Sequence, residues 1–222
     1  MDDFVELAEA ARVAGWAVGS IQLPALRIRA HDLGWEQVAT RRGDSPVSVL
    51  RPTAAEEAHP RSLSAIHGLC EQPMHTDGAH LREPPDYLVF HAERPNRTPT
   101  LLWSEASKLT TSAHPGLHRP PCLVGGIFIV SSGKTRFLAS SYDNRLGYRY
   151  DPACMAPADE RAHEAAGYYA SLTRAAHRHE WTEPGLLLVI NNRLALHARA
   201  AVAEVDSGRE LTRIAYRATP ER

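Results

Sequence analysis

Apolar positions change their rhythm part-way along the chain. Near the start, Phe4, Leu7, Ala8 and Ala11 recur at steps of three and four, which predicts an amphipathic helix over residues 3–14 with Gly15 as its stop. A mixed segment runs from there to Thr53, and within it Val47 to Leu50 predicts one short strand. Farther on, the apolar runs are short, β-prone and bounded by Pro, Gly, Asn or Ser. They are Tyr87-Leu-Val-Phe-His, Thr100-Leu-Leu-Trp, Leu123 to Val130, Thr135-Arg-Phe-Leu and Leu186 to Ile190. One helical pattern interrupts them: Ala162, Ala165, Ala166, Tyr169, Leu172 and Ala176 predict a helix from Pro157 to His179, stopped by Trp181-Thr-Glu-Pro-Gly. The pattern predicts a mainly β protein with flanking helices, a sandwich or jelly roll.

Composition narrows the classes. The 222 residues suit one domain, divided here into an N-terminal helix and pocket-covering segment (1–61) and a β core (62–222) with its inserted helix near 157–179. Lys and Arg number 25 against 26 Asp and Glu, a net charge of −1 that gives no reason to expect nucleic acid or an anionic membrane as partner. Cys70, Cys122 and Cys154 form no CxxC pair, so neither a zinc knuckle nor a disulfide framework is expected. The acidic, amphipathic start does not have the basic-then-apolar order of a signal peptide, and no apolar run is long enough to span a bilayer. These features predict a cytoplasmic protein and leave small molecules, peptides and carrier-bound substrates open as its partners.

Twelve histidines are a rich supply of metal ligands, so spacing has to decide which matter. In Met74-His75-Thr76-Asp77-Gly78-Ala79-His80, an H-x-D pair on an extended segment puts both side chains on one face. Two such ligands can occupy neighbouring corners of a metal's coordination sphere, and a third histidine would complete a facial triad with open positions. The candidate is His197, on a strand that follows Leu186 to Ile190 and the bend at Asn191-Asn192. Beyond it, Arg209-Glu-Leu-Thr-Arg213 carries two arginines on one strand face, where a planar guanidinium suits a dicarboxylate. His80 is expected in a surface or supporting role, and His177 and His179 as charges at a helix end.

The ordered set HTDGAH, PTLLWSE, W-x-x-P-G with its following N-N-R-x-x-x-H-A-R, and R-x-L-x-R resembles the taurine dioxygenase and clavaminate synthase-like superfamily of iron(II)/2-oxoglutarate oxygenases. The resemblance spans Ser62 to Arg217. It implies a double-stranded β-helix (jelly-roll) core, with His75, Asp77 and His197 as iron ligands. It also implies Thr100 and Arg209 at 2-oxoglutarate, and Arg213 at either the co-substrate or the substrate. The implied cofactors are Fe(II), 2-oxoglutarate and O2, and the implied outcome is hydroxylation or desaturation. A carboxylate ligand at Asp77 argues against halogenation. Leu186 stands where the superfamily has Asp, Asn191-Asn192 replaces a D-N pair, and Arg97-Thr98-Pro99 replaces a Gly-Gly stretch.

The loops near 105–122 and 131–155 are expected to shape a pocket, with Arg136, Arg149 or Arg213 meeting a substrate carboxylate. Two other classes stay open: a zinc, nickel or manganese hydrolase or isomerase on a jelly roll, and a non-catalytic binding protein.

Overall fold

The computed structural model describes residues 3–41, 43–60, 62–106 and 119–219. In chain order, helix α1 (Phe4–Ala14) leads into β1 (Trp16–Ser20), α2 (Leu23–Asp32), β2 (Trp35–Gln37), β3 (Val47–Leu50) and the short α3 (Leu63–His67). Strands β4 (Tyr87–Ala92) and β5 (Asn96–Ser104) follow, then α4 (Pro121–Gly125), β6 (Phe128–Ser132), β7 (Thr135–Ala139), β8 (Tyr142–Asp143), β9 (Gly147–Tyr148) and β10 (Met155–Pro157). Helix α5 (Glu160–Leu172) precedes β11 (His177–Trp181), β12 (Leu186–Asn191), β13 (Ala195–Arg199) and β14 (Leu211–Ala218).

The main sheet runs β1-β12-β4-β14-β2, with β3 also paired to β14, and a second sheet runs β11-β5-β13. Their inner faces meet in a core built from Leu88, Phe90, Leu188, Ile190, Leu211 and Ala215 of the main sheet and Leu102, Trp181 and Ala195 of the second. Alternate residues of the same strands face outward. On the main sheet, Val89, Leu187, Val189, Ile214 and Tyr216 take the apolar sides of α1 and α2. On the second sheet, Leu101, Trp103, Leu196 and Ala198 pack with Ala162, Ala165, Tyr169 and Leu172 of α5, together with Phe128 and Val130. The two antiparallel sheets packed face to face give the predicted jelly roll.

Two predicted elements are corrected. The helix expected over 157–179 is confined to Glu160–Leu172, where the Asp159 carboxylate accepts the Ala162 N–H at 2.7 Å as its cap. After one 3₁₀ turn, residues 177–181 form a strand on β5, so His177 and His179 are strand residues, with His179 opposite Thr100. Pairing to β5 outweighs the local helical rhythm here. The strand expected over Leu123 to Val130 divides into α4 and β6 around Gly125-Gly126; a Cβ on Gly126 would lie 2.7 Å from the Ala162 amide nitrogen, so the chain bends against α5 where only glycine fits.

The N-terminal segment contributes more than a covering helix. Trp16–Ser20 pairs residue by residue with Leu186–Ile190, so β1 extends the main sheet beside β12. Gly15 makes this possible: at φ 96° it ends α1, its N–H donates to the Ala11 carbonyl at 2.9 Å, and its backbone packs against Ser104. Among the described residues no helix is long and apolar enough to cross a membrane.

Candidate metal centre

His75 and His197 arrive from distant parts of the chain and are joined by their own backbones. The His75 N–H donates to the His197 carbonyl at 2.9 Å and the His197 N–H returns to the His75 carbonyl at 3.0 Å. This exchange of both hydrogen bonds sets the two side chains on one face. Leu102 of β5 lies opposite His197, and the Phe90 ring meets the His197 ring edge-on, with centroids 5.5 Å apart.

Asp77 is fixed through its main chain. The Asn192 side chain accepts the Asp77 N–H at 3.0 Å and donates to the carbonyls of Asp77 and Pro85 at 3.0 and 2.9 Å. The chain turns at once at Gly78 (φ 71°), where a Cβ would stand 2.7 Å from the Pro85 ring. Thr76, pointing to the other face, bonds the Tyr150 backbone. Asn192 is buried at 1% exposure, and read as part of an Asn-Asn pair it signalled only a bend.

Ligand atoms of His75, Asp77 and His197 all lie within 4.8 Å of one another. Each imidazole Nε2 stands 3.7 Å from Asp77 Oδ1. Donors sharing one ion through bonds of 2.0–2.2 Å stand about 3–3.5 Å apart, so the set needs only a small contraction. The protonation states also fit. His75 Nδ1 is 2.9 Å from the Pro73 carbonyl, the arrangement of an Nδ1–H donor that leaves the Nε2 lone pair facing Asp77. Burial, then His75, push the His197 pKa down to about 3, so its ring is neutral at neutral pH. Burial opposes ionisation of Asp77, but the charge and hydrogen bond of Arg213, first among its neighbours, hold the carboxyl down at about 2. Two imidazoles and a carboxylate form a donor set for a divalent transition metal.

Arg213 is the arginine that reaches this group: its Nη1 donates to Asp77 Oδ2 at 2.7 Å. Both Arg213 and Asp77 line a cavity of about 820 Å³, together with Arg41, His80, Lys134 and Asp151. Residues 131–135, at the turn between β6 and β7, form one wall. Of the loops expected to shape a pocket, 107–118 lies outside the described residues. Arg41 and Lys134 were not singled out in the sequence, because a lone cation in a polar loop carries no spacing signal.

The remaining predicted residues lie elsewhere. Thr100 is buried on β5 in a row with His179 and Arg199, and its hydroxyl accepts the Trp181 indole N–H at 3.1 Å. Arg209, also buried, donates from Nε to Asn96 Oδ1 at 3.0 Å and borders a separate cavity of about 270 Å³ that includes His91 and Thr212. Burial, then the nearby Arg199, lower its pKa to about 10, with Asp206 opposing. Arg149 is buried and donates to the carbonyls of Ala79, Leu81 and Arg82, pinning the turn that follows Asp77. Arg136 is exposed on β7, opposite Ser131.

No family model matches the sequence, and no curated protein matches it. Solved structures do. An asparagine oxygenase in complex with Fe(II), 2S,3S-3-hydroxyasparagine and succinate aligns over 97% of this chain and 78% of its own, at a TM-score of 0.71 and 17% identity. This chain shares the fold of that oxygenase. The same oxygenase fold aligns with the non-heme iron oxygenase OrfP in complex with Fe, succinate and (3S)-hydroxy-L-Arg (99% of this chain, 79% of that one, TM-score 0.67, 19% identity). It aligns also with PvcB from Pseudomonas aeruginosa (97% and 82%, TM-score 0.61, 18% identity). All of this likeness lies in the course of the backbone, and in this chain the oxygenase fold brings His75, Asp77 and His197 together beside the larger cavity.

Proposed function

We propose that this chain is a non-haem iron(II) and 2-oxoglutarate-dependent dioxygenase that hydroxylates or desaturates a C–H bond of a small polar, amino-acid-like molecule. The observation that carries this reading is the convergence of His75, Asp77 and His197 next to a cavity large enough for such a substrate. The structural neighbours support it, since two of them hold hydroxylated amino acids together with iron and succinate.

Iron and 2-oxoglutarate would supply the oxidising chemistry, O2 being consumed as 2-oxoglutarate loses CO2 to become succinate and a substrate C–H bond is oxidised. The protein's part is to bind and orient. His75 and His197 would offer their imidazole Nε2 atoms, and Asp77 the negative charge that offsets part of the ion's. Thr100 and Arg209 are assigned to the co-substrate. With the Trp181 N–H already directed at its oxygen, the Thr100 hydroxyl keeps its hydrogen for a carboxylate acceptor. Arg209 adds a buried guanidinium whose Nε is held by Asn96. In the larger cavity, Arg41 and Lys134 offer positive charge and Asp151 negative, which suits a substrate carrying both.

The test is optical. Metal-free protein loaded anaerobically with Fe(II) and titrated with 2-oxoglutarate should develop a weak visible charge-transfer band that needs both components and is absent in His75→Ala. Tight metal binding without that band would favour a hydrolase or isomerase. Failure to bind metal at all would leave a binding protein.

A further inference from the structure

The sequence assigns Arg213 to a ligand, either the co-substrate or a substrate carboxylate. Its surroundings assign it elsewhere. On β14, Arg213 lies in register between Ser48 of β3 and Phe90 of β4, so the three side chains form a row on the inner face of the main sheet. Phe90 meets the His197 ring, which places the row against the metal centre. From there the guanidinium spends donors on three segments at once: Nε on Ser48 Oγ at 3.2 Å, Nη2 on Thr40 Oγ1 at 3.1 Å and Nη1 on Asp77 Oδ2 at 2.7 Å. A planar fork held at three corners has little freedom to turn toward a ligand.

The two oxygens of Asp77 are thereby given different work. Oδ1 faces both imidazoles at 3.7 Å, whereas Oδ2 is taken by Arg213. We propose that Arg213 is a positioning residue for the metal carboxylate, holding Asp77 so that it offers one oxygen to the ion, with Thr40 and Ser48 holding the arginine in turn. A carboxylate free to rotate can close on an ion with both oxygens and fill a second coordination position. Tying back Oδ2 keeps that position available. Thr40 directly precedes Arg41, so the segment bearing Arg41 and Asp44 on the cavity wall is linked to Asp77 through Arg213. A substrate carboxylate would then fall to Arg41 and Lys134.

The inference requires a divalent ion at the triad but does not depend on 2-oxoglutarate, so Co(II) without co-substrate can test it. Co(II) band positions and intensities respond to the number and arrangement of its ligands. Arg213→Met should shift the visible bands of the Co(II) protein and change their intensity. Thr40→Val, which retains the arginine and its charge, should move them the same way by less, and Arg27→Ala, at an exposed position of α2, should leave them unchanged. Superimposable spectra for wild type and Arg213→Met would overturn the proposal and return Arg213 to ligand binding. If circular dichroism shows that Arg213→Met does not fold, Thr40→Val decides: a shifted spectrum supports the clamp and an unshifted one overturns it. A missing charge-transfer band with 2-oxoglutarate, alongside a Co(II) spectrum that answers to Arg213, would sink the oxygenase reading and leave this one standing.

Discussion

Single side chains do much of the assembly of the metal centre, and the largest share falls to one that is not a ligand. Asn192 satisfies the main chain on both sides of Asp77 and also Pro85, from a position sealed from water. Asn192→Ala should leave those groups unpaired and cost roughly 2–4 kcal/mol of stability, measured by urea unfolding. Because the lost bonds orient a ligand, metal affinity should fall by about 10–100-fold in a direct titration. The three candidate ligands, whose donor atoms lie within 4.8 Å of one another, were singled out in the sequence by H-x-D alternation, a downstream histidine and the family resemblance. Asn192, Thr40 and Ser48 were not, since an Asn-Asn pair reads as a bend, and a lone hydroxyl, in the polar segment at Thr40 or on the short strand at Ser48, carries no signal until its tertiary partner defines it.

At the scale of elements, legibility follows apolar content. The central strands β4 and β12 are nearly continuous apolar runs, and the sequence predicts both, whereas of β5 it predicts only the apolar stretch from Thr100 to Trp103. The edge strands β1 and β2 alternate or are only three residues long, and they were passed over in the mixed N-terminal segment. Strand β11 was absorbed into the preceding helix because Ala176 continues the spacing of Tyr169 and Leu172, although His179 and Trp181 alternate with exposed neighbours as strand residues do. The joint between α1 and β1 offers a direct check. Gly15→Ala would place a Cβ at φ 96° and 2.8 Å from the Ser104 Cβ. The melting temperature should fall, with a loss of at least about 1 kcal/mol, because both backbone and neighbour resist the change.

Across the whole molecule, the sandwich core and the metal centre share material. Leu102, fully buried between the sheets, lies opposite His197 in the β5–β13 ladder. Leu102→Ala should cost about 2–5 kcal/mol in chemical unfolding, as expected of a cavity in a closed core. The surrounding architecture was legible as a class: short β-prone runs at turn-bounded spacing predict a sandwich, and the sheets confirm it. Which faces meet could not be read, because both faces of the central strands are apolar, one toward the opposite sheet and the other toward helices.

The reciprocal pair of peptide bonds between His75 and His197 also bears on how the protein comes into being. A growing polypeptide presents His75 and Asp77 long before His197 has been translated, and two ligands on an unpaired segment grip a metal poorly. The third arrives only when β13 docks beside β5, a contact between distant stretches that forms late and slowly. A metal held by this triad would therefore be captured only once the two sheets are nearly closed, and a half-made chain would hold it weakly.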